Sequence, residues 1–268
     1  MARVFIAVFG GLGNQLFQAA FGIAVEARFG AEVRYLADPT ATDGFGRRYM
    51  LDRFPALAGK TASAAETEGL PTYGDQGVNE ASLQQALAED RGIIFAGYWQ
   101  NERYFFGQDE AIAASLWLDP PSDQLGKGND LRASGAIGMH VRRSEYGHHG
   151  LAMAAYYRTA IAQIRRETGP APVVCFSDEP LFCEFVFRDI ADFTVLRSAN
   201  DDPLNDFYLL SRCRHFAIAN SSFSWWGAWL GAGPFSIVYA PLPWCAFDPA
   251  LNPVPKRWRA IENAVRAP

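Results

Sequence analysis

The sequence predicts an α/β protein with parallel sheets, divided into two domains. Short runs of β-branched and aromatic residues alternate with longer segments of helical periodicity, an arrangement typical of βαβ units. Of the 268 residues, 49% are hydrophobic and 14% aromatic, enough to bury a sizeable core. A stretch rich in Pro, Gly, Ser and Asp near the middle of the chain indicates a domain boundary.

Eight strands and five helices follow from these patterns. The predicted strands cover 4–9, 33–36, 93–96, 136–141, 173–176, 193–196, 216–219 and 236–239. The predicted helices cover 14–29, 102–117, 154–167, 203–212 and 223–231. Because the strands alternate with helices, each sheet is expected to be parallel, with ligands at the carboxyl ends of its strands.

The domain boundary is predicted in the segment DPPSDQLGKGNDLRASG at 119–135. We expect an N-terminal domain over 1–125, a C-terminal domain over 136–268 and a linker at 119–135, with a ligand cleft between the domains or at their strand ends. The charge also changes here: residues 1–135 carry 11 basic and 17 acidic groups (11 − 17 = −6), and residues 136–268 carry 13 and 12 (+1).

The composition excludes several classes of function. A net charge of −5 provides no basic field for nucleic acid. The four cysteines form no CxxC pair and no zinc-ligand spacing, so we expect buried thiols in the reducing cytoplasm and no metal site. The N-terminus shows no secretory segment. The 32 uncharged residues at 216–247 contain polar residues and a Gly-Pro break, which favours a buried strand, helix and strand over a membrane span.

The first motif that could bind a ligand is GGLGNQLFQ at 10–18. Gly11 and Gly13 let the backbone turn from strand to helix and present N–H groups to an anion or to sugar hydroxyls. Asp38, at the end of the second strand, stands where a ribose-binding acid would lie, so an NAD(P)-dependent oxidoreductase is one alternative. A plain strand-to-helix turn capped by Asn14 is another.

The second motif is HVRRSEY at 140–146, where a buried strand runs directly into Arg142 and Arg143. Burying guanidinium groups is costly unless an anion offsets the desolvation. Two arginine forks can neutralise a pyrophosphate without a metal ion. The structural alternative is an ion-pair network that joins both arginines to Glu145.

The third motif is FSDEP at 176–180, again at the end of a strand. Ser177 and Asp178 have the acceptor atoms to bind base N–H groups or ribose hydroxyls. They are equally suited to cap a helix that starts near Pro180.

The fourth motif is NSSFSWWGAWL at 220–230. Its serines lie at the N-terminus of a predicted helix, where hydroxyls and free N–H groups can bind phosphate. Its tryptophans are interpreted as core residues.

Taken together and in this order, the four motifs resemble the α-1,2-fucosyltransferases of glycosyltransferase family 11. The resemblance spans Gly10 to Leu230. It implies two Rossmann-like domains facing across a cleft, the GT-B architecture, with the acceptor on the N-terminal side and the donor on the C-terminal side. It also implies inverting, metal-independent transfer of L-fucose from GDP-β-L-fucose to the 2-hydroxyl of a galactose-terminated oligosaccharide, without a cofactor.

The resemblance further implies roles for individual residues. Arg142 and Arg143 would bind the diphosphate, with His140 close to it, and Asp178 would contact the guanosine. The remaining donor residues would be Ser177, Asn220, Ser221, Ser222 and Ser224, and the residues reaching donor or acceptor would be Gly11, Gly13, Asn14 and Gln15.

The catalytic base is left open among Glu145, His148 and His149. Glu145 stands where the family commonly has Asp, which keeps a nucleotide-sugar-binding protein without transfer activity as a further alternative. The absence of a predicted span leaves room for peripheral attachment at the cytoplasmic face of a membrane.

Overall fold

The computed structural model describes residues 2–76, 78, 80–88, 92–120, 124–144, 149–197, 202–262 and 264–266. The chain divides into two compact units: unit 1 is Met1–Asp119 and unit 2 is Pro120–Pro268. The main sheet of each unit is parallel throughout, which confirms the predicted α/β class.

Unit 1 contains a five-stranded sheet in the order β3-β2-β1-β5-β4. Its strands are β1 (Arg3–Ala7), β2 (Glu32–Leu36), β3 (Thr61–Ala62), β4 (Thr72–Tyr73) and β5 (Ile93–Phe95). Its helices are α1 (Leu12–Phe29), α2 (Glu80–Leu87) and α3 (Asp109–Ser115). Strands are added on one side of β1 and then on the other, so a crevice opens between the carboxyl ends of β1 and β5.

Unit 2 contains a six-stranded sheet in the order β12-β11-β10-β6-β8-β9. The strands of this sheet are β6 (Ile137–Val141), β8 (Val173–Ser177), β9 (Phe193–Val195), β10 (His215–Ala217), β11 (Val238–Pro241) and β12 (Arg259–Ile261), and β7 (Leu151–Ala152) pairs separately with β13 (Val265–Arg266). The helices are α4 (Leu125–Ala133), α5 (Ala154–Thr168), α6 (Pro180–Val186), α7 (Pro203–Ser211) and α8 (Ser222–Gly231). The strand order reverses at β6, so the corresponding crevice lies between β6 and β10.

Two predicted elements differ from the structure. The segment 119–135, expected to be a linker, contains α4 and belongs to unit 2 from Pro120 onward. Gly128 lets this helix pack on α7: a Cβ there would lie 2.9 Å from the Tyr208 ring, so a larger residue would prevent so close an approach. The helix expected over 102–117 is interrupted at Gly107 (φ +77°), and its α-helical part is α3 alone.

The core of unit 2 is organised around β6, whose residues are all buried. Ile137, Met139 and Val141 pack with α5 on one face of the sheet, and Gly138 and His140 point to the other. On that second face, Leu210 of α7 fits against two glycines: added Cβ atoms would lie 2.8 Å from it at Gly138 and 2.7 Å at Gly227.

Two predictions about the segment 216–247 can be compared with the structure: that its tryptophans are core residues, and that it does not span a membrane. Trp225 and Trp226 are fully buried, which confirms them as core residues. Within the described ranges, every helix falls short of the length or the apolar character that crossing a bilayer requires.

Candidate functional site

Three of the four motifs meet at the carboxyl edge of the unit 2 sheet. β6 lies between β8 and β10, with Val141 opposite Ser177 and Met139 opposite Ala217. The residues that follow these strands therefore share one edge, next to the crevice between β6 and β10. The sequence prediction that these motifs lie at strand ends is confirmed, and the register brings them together.

An arginine-carboxylate network joins the second motif to the third. The Asp178 carboxylate lies 3.1 Å from Nη1 of Arg142 and accepts hydrogen bonds from the backbone N–H groups of Arg143 (3.0 Å) and Ser144 (2.9 Å). Arg143 donates from Nε to Glu179 (3.2 Å), and its guanidinium lies 3.7 Å from the centroid of the Phe182 ring. Both arginine side chains keep more than a quarter of their surface exposed, 28% and 29%.

This network fixes the roles that the structure supports for the third motif. Asp178 positions the loop after β6 through these bonds, and the guanosine contact implied for it stays a prediction. Ser177 accepts a hydrogen bond from the Glu179 N–H (3.0 Å), and α6 begins at Pro180. Both arginines are ion-paired, with Asp178 and Glu179 as partners. The predicted network with Glu145 stays a prediction, because Glu145 lies outside the described residues.

His140 is buried on the face of β6 that α7 and α8 cover. Burial, helped by the neighbouring Arg142 charge, lowers the pKa of its imidazole to about 3, so the ring is neutral at physiological pH. The ring lies 5.2 Å from that of Phe223, and within the described part of the chain its Nδ1 atom has no hydrogen-bond partner. Leaving a buried ring nitrogen without a hydrogen bond costs folding free energy, and a polar ligand could supply the missing partner.

Asp206, in the first turn of α7, is a candidate that the sequence analysis missed. Burial raises the pKa of its carboxyl to about 6, and no hydrogen bond or ion pair from a described residue reaches it. It lies four residues before Leu210 and so shares the helix face that packs on β6 and α8. Phe207 beside it contacts Phe223, which in turn contacts His140. An acid in a first helical turn is commonplace, so the sequence carried no specific signal.

The N-terminus of α8 brings part of the fourth motif to the same edge. Ser221 precedes the helix in an extended conformation and makes no side-chain cap, so the N–H groups of the first turn keep their anion-binding character. Ser222 is the first helical residue and is half-buried.

Two members of the fourth motif point inward, and their roles as donor contacts stay predictions; the Asn220 Oδ1 atom is buried without a partner among the described residues. Ser224 is fully buried and its hydroxyl donates back to the carbonyl of Ser221 (3.2 Å). The buried Asn220 amide donates to the carbonyls of Gly150 (3.0 Å) and Trp244 (3.1 Å). Both side chains therefore hold loops at this edge.

The candidates for a catalytic base are only partly described. His149 lies beside residues 245–247: its Nδ1 atom is 3.9 Å from the Cys245 sulfur, and its ring is 5.5 Å from that of Phe247. Its neighbour Gly150 is tied to Asn220. Glu145 and His148 lie outside the described residues, so the choice of base stays a prediction.

The first motif lies in unit 1 and differs in detail from the prediction. The left-handed backbone is at Gly10 (φ +78°), while Gly11 precedes α1 and Gly13 lies within it. Asn14 is inside the first turn and accepts a hydrogen bond from Gln100 (2.8 Å), so it does not cap the helix.

Gln15 and Asp38 have local structural roles. The Gln15 amide is buried, donates to the carbonyls of Gly10 (2.9 Å) and Arg48 (2.8 Å), and accepts from the Met50 N–H (2.9 Å). Both polar atoms of the amide are thus engaged by the backbone, and the ligand contact of Gln15 stays a prediction. The Asp38 carboxylate accepts from the backbone and hydroxyl of Thr40 (2.9 and 2.7 Å) in an exposed turn.

Comparison with known proteins relates this chain to glycosyltransferases, by sequence and by fold. Residues 87–248 match the sequence model of "Glycosyl transferase family 11". An alpha-1,2-colitosyltransferase of Escherichia coli is 28% identical, covering 98% of this chain and 100% of that protein. A galactoside alpha-(1,2)-fucosyltransferase 2 of Oryctolagus cuniculus is 27% identical over 42% of this chain and 38% of its own. POFUT1 in complex with GDP-fucose superposes with a TM-score of 0.54 at 10% identity, covering 88% and 97% of the two chains, a likeness that shows the fold, of GT-B type.

Proposed function

Because the chain belongs to glycosyl transferase family 11, we propose that it transfers L-fucose from GDP-β-L-fucose to the 2-hydroxyl of a galactoside, with inversion and without a metal ion. The names of the two relatives support an α-1,2 linkage. Colitosyl transfer is the second candidate, because the relative named for it aligns over 98% of this chain. Family membership argues against the nicotinamide-dependent alternative.

The observation that carries the proposal is the pair of arginines held at the crevice of unit 2. When the bond between the sugar C1 and the phosphate oxygen breaks, negative charge grows on the β-phosphate. Arg142 and Arg143 are already positioned by Asp178 and Glu179, so they stabilise that charge without reorganising. The N–H groups at the start of α8 add to the same field. These positive groups supply the charge that a metal ion would otherwise provide.

We assign the nucleobase to the region of His140 and Asp206, which the ring contacts of Phe207 and Phe223 connect. Guanine presents two adjacent donors, N1–H and the N2 amine, and a carboxylate is the acceptor that matches them. Asp206 is ionised at neutral pH, since its pKa of about 6 remains below 7. Neutral His140 is free to hydrogen-bond a base or ribose hydroxyl without adding charge.

The remaining parts of the proposal follow from the chemistry of inversion. A single displacement benefits from a base that removes the proton of the acceptor hydroxyl, and Glu145, His148 and His149 remain the candidates. All four cysteines are buried thiols, so we expect the enzyme to work in the cytoplasm, where peripheral attachment to a membrane is compatible with its substrates.

A transfer assay tests the proposal directly. The purified protein is incubated with GDP-fucose or GDP-colitose and with methyl β-D-galactopyranoside or lactose, with and without EDTA, and the product linkage is assigned by NMR. We expect an α-1,2-linked product in the presence of EDTA, and a strict requirement for a divalent ion would contradict the arginine mechanism.

Thermal shift with GDP, ADP, UDP and NAD provides the control. We expect stabilisation by GDP alone. GDP binding without transfer would instead support the non-catalytic alternative, and stabilisation by NAD would revive the oxidoreductase.

A further inference from the structure

Two half-exposed aromatic rings, Phe9 and Tyr98, stand at the carboxyl edge of the unit 1 sheet. Phe9 follows β1 and Tyr98 follows β5, the two strands that flank the crevice of this sheet. Their centroids are 5.0 Å apart at an interplanar angle of 76°, and the residues are 37% and 48% exposed. A pair of exposed rings at the position where α/β sheets bind ligands indicates a contact surface.

A single buried amide sets the spacing of the two rings. Gln18 of α1 is fully buried, accepts a hydrogen bond from the Phe9 N–H (3.1 Å) and donates to the Gly97 carbonyl (3.2 Å). Breaking either bond would leave a polar group unsatisfied in the core. Gln18 therefore ties the loop after β1 to the loop after β5.

The backbone next to Tyr98 is strained, and packing maintains the strain. Trp99 has a left-handed backbone (φ +55°), which is unfavourable for a bulky side chain. Its fully buried ring stacks on Phe21 at 3.8 Å, and Asp75 accepts the Tyr98 N–H (3.0 Å). Strain of this kind persists where the surroundings over-determine it, and it clusters at ligand sites. Here it holds the Tyr98 ring outward.

The polar side chains near the rings include two amides besides the Asp75 carboxylate, which is engaged by the Tyr98 N–H. Asn14, at the start of α1, is bonded to Gln100, two residues beyond Tyr98 (2.8 Å). Aromatic faces with a few placed amides suit an uncharged ligand that has both C–H faces and hydroxyls. A pyranose ring has this combination.

We propose that Phe9 and Tyr98 form a stacking platform for a pyranose ring of the acceptor glycan, with Asn14 and Gln100 facing its hydroxyls. The proposal rests on the proposed function and adds the residues of unit 1 that recognise the acceptor. The platform carries no part of the donor chemistry, so its loss affects acceptor binding and leaves GDP binding unchanged.

The test compares Phe9→Ala and Tyr98→Ala with the wild type, using methyl β-D-galactopyranoside as the probe. We expect each substitution to raise the acceptor KM about tenfold, the loss expected for one stacking contact, and to abolish the saturation-transfer NMR signal of the probe. The KM for GDP-fucose and the melting shift with GDP should stay within about twofold of the wild type, and Tyr98→Phe should keep wild-type acceptor KM because the ring remains.

Phe106→Ala is the matched control. Phe106 is 78% exposed, and its carbonyl is bonded to Arg28 at the far end of α1, so it lies away from the carboxyl edge. A wild-type acceptor KM in Tyr98→Ala, or no probe signal with the wild type, would overturn the platform. Absence of transfer or of GDP binding by the wild type would count against the proposed function, while the probe experiment still decides the platform.

Discussion

The carboxyl edges of the two sheets share a topology and differ in chemistry. In each unit the strand order reverses at the first strand, β1 or β6, and the residues after that strand line a crevice. In unit 2 these residues are arginines and carboxylates, and in unit 1 they are aromatic rings and amides. The fold thus determines where ligands bind, and the residues immediately after the strands determine which ligands.

The two edges are also held in place differently. Ion pairs with Asp178 and Glu179 fix the arginine loop of unit 2, whereas the loops of unit 1 are fixed mainly by the neutral amides of Gln15 and Gln18, with one carboxylate, Asp75, on the Tyr98 N–H. A preorganised charge is useful only against a ligand whose charge changes during reaction. The contrast therefore predicts that substitutions in unit 2 act on turnover and those in unit 1 on acceptor affinity.

The largest effect is expected from Arg143→Ala. Removing one prepositioned donor to the leaving phosphate should lower kcat by roughly 10² to 10³. The melting temperature should change little, because the pair with Glu179 is partly exposed and contributes little stability. Arg197→Ala is the control, since Arg197 forms a comparable ion pair with Glu184 of α6, the helix that Glu179 precedes. A kcat close to that of the wild type in Arg143→Ala would remove the phosphate role.

An intermediate effect is expected from Asp206→Asn. Loss of a charged acceptor for guanine should weaken GDP binding about tenfold or more, and the preference for GDP over IDP, which lacks the N2 amine, should disappear. In the wild type, GDP affinity should fall as the pH drops through about 6, where Asp206 becomes protonated, and the variant should lack this dependence. Calorimetry at several pH values measures both, and an unchanged GDP/IDP ratio would refute the assignment.

The same substitution is expected to weaken GDP binding and to stabilise the ligand-free protein. The pKa of the Asp206 carboxyl is raised from 3.8 in the unfolded chain to about 6 in the folded protein, so its ionised form opposes folding above pH 6. Ligand-free Asp206→Asn should therefore melt above the wild type at pH 7 to 8. The difference should shrink as the pH falls from 6 towards 4, which thermal scans without nucleotide can follow.

The smallest effect is expected from Asp38→Ala in unit 1. This acid also follows a strand, but its carboxylate is exposed and folds onto Thr40. Both kinetic constants should stay within about twofold of the wild type, as for other surface substitutions. A large loss of activity would show that charge at the unit 1 edge is used after all.

The sequence was sufficient for the features that depend on strand ends. Parallel strands place their carboxyl ends at one edge, so predicting Arg142, Asp178 and Ser221 after strands was enough to predict a shared site. The pairing of Arg143 with Glu179 was out of reach, because it depends on the register between β6 and β8 and on the turn into α6.

Other features depended on packing that no local pattern encodes. Asp206 resembles an ordinary helix acid until α7 is placed on β6, and nothing local to Gln15 shows that the backbone at Arg48 and Met50 engages its amide. The helix in the predicted linker packs on α7, and the space that Gly128 leaves for Tyr208 becomes visible only in the folded chain.

The two glycines under Leu210 have a consequence at the opposite end of α7. A side chain at Gly138 or Gly227 would come within 3 Å of Leu210, so either the Leu210 side chain or α7 itself would have to shift. A shift of α7 would also move Asp206, which lies one turn before Leu210 on the same helix. The position of the carboxylate proposed to bind the nucleobase therefore depends on two residues without side chains, which contact the same helix one turn away.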